Sequence, residues 1–130
     1  MEIGVKMEES ILVSIRKFLG LCEGDNAFDT DLIILINSEF SVLRQLAVGT
    51  ESAFRITGPS ETWSEFTEDK DYMECVKELI GLKVKMIFDP PANSFVMQAF
   101  KERADELEWR LNAFEDVETV QDVIDAYSED

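Results

Sequence analysis

Residues 82–96 read LKVKMIFDPPANSFV and hold the strongest structural signal in the chain. A proline disfavours the α conformation in the residue before it and cannot donate a helix hydrogen bond. A helix that contains Leu82 must therefore stop at Asp89-Pro90-Pro91. Asn93 is a good N-cap, so a second helix is predicted to begin there. We interpret Asp89-Pro90-Pro91 as a rigid corner between two helices.

Apolar residues follow the helical period on both sides of this corner, which predicts two long helices. The upstream helix is expected to start near Asp71. Its residues with helical spacing include one polar residue, Lys83, and the others are Tyr72, Val76, Leu79, Ile80, Val84 and Ile87. The downstream stripe has Arg103 as its one polar position and otherwise contains Val96, Phe100, Leu107, Leu111 and Phe114. A final set with helical spacing either prolongs this helix or forms a fifth, and consists of Val117, Val120, Ile124 and Tyr127.

Two further helices are predicted earlier in the chain. The first ends at Gly20, and its apolar face is Ile11, Leu12, Ile15, Phe18 and Leu19. The second begins at Asp29, which is predicted to cap free backbone N–H groups, with Phe28 and Ile33 as a hydrophobic staple. Its core stripe is Leu32, Leu35, Ile36, Phe40, Leu43 and Leu46. Ile33 and Ile34 lie off that stripe, so this helix is predicted to be central or covered by another chain.

Residues 50–62 interrupt the helical pattern. Gly58-Pro59 is a turn signal, and Ala53–Thr57 is read as a short extended piece. Thr62-Trp63-Ser64-Glu65 has the spacing of a capping box and is expected to open one helical turn. The sequence thus predicts an all-α protein, a small bundle of four to five helices with at most one short hairpin between the second and third.

Composition narrows the range of functions. A length of 130 residues indicates one domain, and the 45% hydrophobic content argues against wholesale disorder. The chain has 28 acidic and 12 basic residues and a formal net charge of −16, which argues against broad binding to a phosphate backbone. The absence of histidine removes the commonest general base and the commonest transition-metal ligand.

The two cysteines, Cys22 and Cys75, are too few for a four-cysteine zinc site. Because Met1–Lys6 is too short and too acidic for a signal peptide, we expect reduced thiols in a cytosol-type compartment. No apolar run approaches the length of a membrane span. The sequence therefore predicts neither a metal centre nor membrane association.

Three segments are predicted along the chain. Residues 1–8 form an N-terminal extension, within which Met7 is an alternative start. Residues 9–114 form the domain, and residues 115–130 form an acidic extension that is expected to be helical. This last segment has seven acidic residues and no basic residue. It is interpreted either as a solvated tail or as a surface that faces a partner or a passing polyanion.

Two pairs of acidic residues support a weaker, enzymatic alternative. Asp105 and Glu108 share a helix face, and Asp122 and Asp125 repeat that spacing. On facing helices such pairs would hold Mg²⁺, in an arrangement similar to that of all-α nucleoside triphosphate pyrophosphatases. A chain this acidic also produces such pairs by chance, so a solvated face is the preferred interpretation. A second alternative, based on charge alone, is a DNA-mimicking inhibitor of a host nuclease.

Trp109 precedes Arg110 and lies beside the apolar stripe of the helix after the corner. Packing in the core or at a subunit interface is favoured for this indole over stacking on a base. The basic groove that accompanies base stacking is absent from so acidic a chain.

The longest motifs resemble one known family. Residues 82–96, followed by ELEWRLN at residues 106–112, look like the sequence of tailed-phage head–tail connector (adaptor) proteins from phages and prophages of Gram-positive bacteria. Ser10-Ile11-Leu12 and Thr62-Trp63-Ser64 fit the same family. The resemblance covers about residues 9–113, and the two long motifs at the right distance make it specific.

This resemblance implies a structural protein with no catalytic residues, no cofactor and no bound metal. Such proteins form a ring, expected to be twelve-fold, beneath the portal of the capsid. The ring extends the DNA channel, through which DNA passes without specific binding, and it docks stopper and tail proteins. The implied location is the head–tail junction of the virion, after synthesis in the host cytoplasm. Residues expected to form the structural motif or an interface are Ile33, Ile34, Trp63, Asp89, Pro90, Pro91, Asn93, Trp109 and Arg110.

Overall fold

A computed structural model describes residues 9–22, 24–46 and 54–128. These described residues form five helices: α1 (Ile11–Phe18), α2 (Asp29–Leu46), α3 (Trp63–Phe66), α4 (Lys70–Phe88) and α5 (Ser94–Ser128). Over these described residues the only β pairing is an isolated bridge between Ser10 and Thr62. The prediction of a small all-α bundle is confirmed. The expected short hairpin does not occur among the described residues between α2 and α3, and Ala53 lies outside them.

Helix α1 is fixed at both ends by local chemistry. The Ser10 hydroxyl accepts a hydrogen bond from the backbone N–H of Val13, and Gly20 adopts a left-handed conformation with φ 79° just after the helix, as the sequence predicted. Phe18 lies against α4 at Gly81, where a Cβ atom would approach the phenyl ring to 2.7 Å. A glycine is therefore needed in α4 for α1 to pack this closely.

The start of α2 corrects one prediction. Asp29 is the first residue of the helix, not its cap, because the backbone N–H of Leu32 already donates to the carbonyl of Phe28 at 2.9 Å. The Asp29 carboxylate instead accepts two hydrogen bonds from the Arg16 guanidinium, with Nε to Oδ1 at 2.9 Å. A bidentate, charge-assisted pair between α1 and α2 is stronger than a single capping bond. Phe28 packs on Phe88 of α4, with ring centroids 5.2 Å apart.

The segment before α3 is held to α2 by an amide side chain. Asn37 donates to the carbonyl of Ile56 at 2.9 Å and accepts from the backbone N–H of Ile56 at 2.8 Å. Ile56 is thereby buried beneath an aromatic cluster made of Phe40, Phe54, Trp63 and Phe66. Helix α3 has the predicted capping box, with Thr62 and Glu65 each bonded to the other's backbone N–H.

Helices α4 and α5 form an antiparallel pair joined by the predicted corner. Helix α4 begins at Lys70, after the N-cap Asp69 and one residue before the expected start at Asp71. It ends at Phe88, with Asp89 as its C-cap. The Asn93 side chain accepts from the backbone N–H of Phe95 at 2.7 Å and begins α5. Both the stop and the restart of the chain are confirmed.

Helix α5 runs without a break to Ser128, so the last apolar set prolongs this helix and does not form a separate one. Its 35 residues correspond to a length of about 50 Å. Side chains of α5 are described as far as Ala113, so the predicted packing of Phe114 and of the later apolar residues lies outside them. The same holds for the predicted core position of Leu46 in α2.

The core lies between α1, α2, α4 and α5. Helices α4 and α5 bury the side chains of Val76, Leu79, Ile80, Val84, Ala104, Leu107 and Leu111. Helix α2 buries those of Leu32, Ile36, Phe40 and Leu43. Phe18, which periodicity assigned to the apolar face of α1, is 43% exposed. Two residues of the later stripes, Ile87 and Val96, are exposed as well. Both lie at the corner, where the helices end and no neighbouring helix covers them. No helix in the described part of the chain is long and apolar enough to cross a membrane.

Candidate interaction surfaces

Four exposed apolar side chains lie at the corner between α4 and α5, and we call them the corner surface: Phe28, Ile87, Phe95 and Val96. Phe95 is 84% exposed and Ile87 is 60% exposed, and the two flank the turn between α4 and α5. Phe28 joins them through its edge-to-face contact with Phe88. Exposed apolar side chains that cluster in this way are typical of a protein–protein contact.

Local chemistry holds the corner surface in place. Asp89 donates its backbone N–H to the carbonyl of Lys85 and accepts from the Lys85 ammonium at 2.7 Å. Pro90 and Pro91 supply no backbone N–H donor, and the Asn93 cap fixes the direction in which α5 leaves. The structure thus brings together four of the predicted site residues, Asp89, Pro90, Pro91 and Asn93. Their role is to present the apolar side chains of the neighbouring turns.

Two other candidate residues are exposed on different helices. Ile34 of α2 is 62% exposed and Trp109 of α5 is 70% exposed, whereas Ile33 is half-buried against the core. Arg110 pairs with Glu106 at 2.7 Å along the surface of α5. The core alternative for Trp109 is wrong for the single chain, because the buried residues of α5 lie on the opposite face. Ile34 and Trp109 therefore provide isolated apolar contacts away from the corner.

Trp63 has a different environment from the other candidates. It is 2% exposed, and its indole Nε1–H donates to the Ser14 hydroxyl at 2.8 Å. The same hydroxyl donates to the carbonyl of Ile11, so every polar atom in this buried contact has a partner. In the single chain Trp63 joins α3 to α1, and it is a structural residue of the motif.

A cluster of charged residues links α2, α4 and α5. The Lys83 ammonium lies 3.0 Å from a carboxylate oxygen of Glu108, with Glu39 of α2 nearby. Burial lowers the pKa of Lys83, but the hydrogen bond to Glu108 and the neighbouring acids outweigh it and raise the pKa overall. Burial raises the pKa of Glu39, and Lys83 offsets only part of that effect. The Lys83 ammonium thus forms an ion pair with Glu108 of α5 and attracts the carboxylate of Glu39 of α2.

A second ion pair joins the outer edges of α4 and α5. Arg103 donates two hydrogen bonds to Glu78, at 2.6 Å and 2.8 Å, and the pair keeps the pKa of Glu78 below its ordinary value. Sequence reasoning singled out Arg103 and Lys83 only as polar interruptions of apolar stripes. That interruption was the available signal, because a charged residue beside a core needs a partner on the facing helix.

A cavity of about 580 Å³ opens between α1, α4 and α5. Phe18, Trp63 and Leu107 form its apolar wall, and Glu74 and Lys77 lie at its charged rim. Cys75 also lines the cavity, but burial raises the pKa of its thiol, which keeps it in the unreactive protonated form. The lining is a mixture of core side chains and charged side chains.

The sequence matches the phage connector protein family over residues 11–118, a range that includes helices α1 to α4 and most of α5. The chain belongs to the phage connector protein family. A search of curated proteins and a search of solved structures found no match. The family assignment confirms the resemblance of residues 82–96 and 106–112, and it supports a structural connector role in a phage particle.

The fold of this connector does not favour the pyrophosphatase alternative. Asp105 and Glu108 lie on the same unbroken helix as Asp122 and Asp125, so the two pairs are about 25 Å apart along α5 and do not face each other within one chain. Glu108 is also occupied by Lys83. Among the residues that the structure describes, no group of three or more acidic or cysteine side chains is placed to hold a metal ion.

Proposed function

We propose that this connector is the adaptor at the head–tail junction of a tailed phage, where copies assemble into a ring beneath the portal. The expected symmetry is twelve-fold. The ring would extend the DNA channel and present a docking surface to stopper and tail proteins. The observation that carries the proposal is the family match over residues 11–118.

The distribution of exposed apolar side chains supports assembly with several neighbours. A ring with head-to-tail contacts needs two different surfaces on each copy. The corner surface lies at one end of the bundle, while Ile34 and Trp109 lie on the outer faces of α2 and α5. A single chain with separate apolar contacts on different helices is suited to bind two like neighbours and further proteins of the particle.

The charge supports a passive relation to DNA. At a net charge of −16 the protein repels a phosphate backbone, so DNA can slide past it without specific binding. The same like charge opposes self-association in dilute solution, and assembly is expected to follow contact with the portal. The free protein would then accumulate in the host cytoplasm and enter the virion at the head–tail junction.

The test is co-expression with the cognate portal protein. We expect the connector to co-purify with portal rings at a stoichiometry of one copy per portal subunit, and electron microscopy to show added density below the portal clip. The free connector alone should show no Mg²⁺-dependent release of pyrophosphate from nucleotides. Failure to bind the portal, together with tight binding to a basic host nuclease, would favour the acidic-inhibitor alternative.

A further inference from the structure

The corner surface differs in charge from the rest of the molecule. Residues 79–101 contain three basic residues and a single acidic residue, Asp89, in a chain of net charge −16. Lys83 is engaged by Glu108 between the helices, and half-buried Lys85 is paired with Asp89 at 2.7 Å. Lys101 is exposed and pairs with no acidic residue in the part of the chain that the structure describes. The corner surface is therefore apolar, and residues 79–101 around it have three basic residues against one acidic residue, a net charge of +2 in a chain that is otherwise strongly acidic.

The far end of α5 has the complementary character. Residues 115–130 carry seven acidic residues and no basic residue, and the last turn of the helix contains no base. Negative charge at the carboxyl end of a helix is unfavourable, because it adds to the negative pole of the helix dipole. Val117, Val120, Ile124 and Tyr127 keep helical spacing within this acidic sequence. Such a segment gains most from a partner that is both apolar and basic.

The two complementary regions cannot meet within one copy. Helix α5 is continuous from Ser94 to Ser128, and Val120 lies about 36 Å along it from Val96. The corner is at the beginning of the helix and the acidic segment is at its end. Neither region can therefore cover the other within one copy, and a second copy of this chain carries both.

We propose that the acidic end of α5 in one copy docks on the corner surface of the next copy. The inference rests on the proposed ring and names the contact between its neighbours. Apolar side chains of residues 117–127 would cover Ile87, Phe95 and Val96, while the surrounding carboxylates would approach Lys85 and Lys101. Because the two surfaces differ, the contact is heterologous, and its repetition closes a ring when the rotation between copies allows it.

Complementation between two full-length variants tests this contact. The corner variant, Ile87→Ser with Phe95→Ser, changes exposed side chains and keeps an intact acidic end. The tail variant, Val120→Ser with Ile124→Ser, keeps an intact corner. Gln45→Ser is the control, because it changes an exposed side chain of α2 that belongs to neither of the two surfaces. Circular dichroism confirms that each variant is folded before sedimentation velocity is measured over a concentration series.

We expect the wild type and the Gln45→Ser control to self-associate at high concentration. Each double variant should self-associate roughly tenfold or more weakly, since burial of one large apolar side chain accounts for at least a tenfold step in affinity. An equimolar mixture of the two double variants should form a 1:1 dimer and nothing larger. Zero-length carbodiimide cross-linking of the wild type should join Lys85 or Lys101 to residues 115–130 of a differently isotope-labelled copy.

Three results would overturn the contact: self-association of the corner variant equal to that of the wild type, no dimer in the mixture, or a wild type that stays monomeric at every concentration. Each of these leaves the proposed function to be decided separately by co-purification with the portal. A connector that binds portal rings and yet cross-links through other surfaces would retain its function and exclude this contact.

Discussion

The middle of the α4–α5 pair and its corner contain the same kinds of apolar side chain but place them differently. In the middle, Leu79, Ile80 and Leu107 are buried between the helices, and the ion pairs lie outside them. At the corner, Ile87 and Phe95 are exposed, although Asp89 and Asn93 cap the two helix ends beside them. The middle stabilises the single copy, whereas the rigid corner holds apolar surface available for a neighbour.

The largest expected difference between these regions is in the free energy of unfolding. Leu107→Ala removes a side chain that is 1% exposed and should lower that free energy by about 2–5 kcal/mol. Phe95→Ala removes a larger side chain that is 84% exposed and should change it by about 0.5 kcal/mol or less. Urea denaturation followed by circular dichroism measures both. A comparable loss in the two variants would show that the corner is buried within the free monomer.

The corner itself can be removed by replacing Pro90 and Pro91 together with alanine. A proline inside a helix costs about 3 kcal/mol, so the double variant loses a strong stop signal and α4 can continue towards α5. The protein should remain helical by circular dichroism, but the angle that orients Ile87 and Phe95 is lost. We expect tailed, infectious particles to fail to assemble in a complementation assay. Normal particle yields would mean that this angle does not define the shape of the subunit.

The two regions also differ in how far the sequence anticipated them. The stop at Asp89, the restart at Asn93 and the capping box at Thr62 were predictable because they depend on hydrogen bonds to the nearest backbone groups. The exposure of Ile87 and Val96 was not, since helical spacing gives the direction of a side chain but not whether a neighbouring helix reaches it.

Long-range polar pairs were equally out of reach of sequence reasoning. Asp29 was assigned to a cap because Arg16 lies in another helix, and periodicity does not report which helices become neighbours. Lys83 and Arg103 stood out as interruptions of apolar stripes, but their partners Glu108 and Glu78 were identified only by the packing of α4 on α5. The fold class was thus accessible from the sequence, and the surfaces that adjacent copies would use were not.

A smaller effect on the free energy of unfolding should distinguish the charged cluster of Lys83, Glu108 and Glu39 from ordinary surface ion pairs. Because burial raises the pKa of Glu39, the folded protein binds that proton more tightly than the unfolded chain does, and ionisation of Glu39 at neutral pH costs stability. Glu39→Gln should therefore raise the free energy of unfolding at pH 7 by about 0.5 kcal/mol. The gain should shrink as the pH falls through the raised pKa towards the ordinary carboxyl range.

Replacing Glu78 of α4 should change the free energy of unfolding in the opposite direction. The hydrogen bonds from Arg103 lower the pKa of Glu78, so this carboxylate stabilises the fold above its ordinary pKa, and the stabilisation disappears as the pH falls through the lowered value. Glu78→Gln should accordingly reduce the free energy of unfolding at pH 7. Thermal unfolding between pH 4 and pH 8 measures both variants. If both variants lowered the free energy of unfolding at pH 7, Lys83 would fully offset the cost of ionising Glu39.

The smallest expected change in monomer stability comes from deletion of residues 115–130. The deletion removes seven acidic residues and no basic residue, which changes the net charge from −16 to −9. The buried residues of α5 that the structure describes, Ala104, Leu107 and Leu111, all remain, so the melting temperature should change little. Loss of acidic residues at the carboxyl end of α5 also removes an unfavourable interaction with the helix dipole.

If the segment contacts the corner of a neighbouring copy, self-association should weaken while the circular dichroism per residue of the core stays the same. A solvated tail would leave both properties unchanged. A large loss of monomer stability would instead show that the end of α5 packs on its own domain, and the boundary at residue 114 would then be wrong.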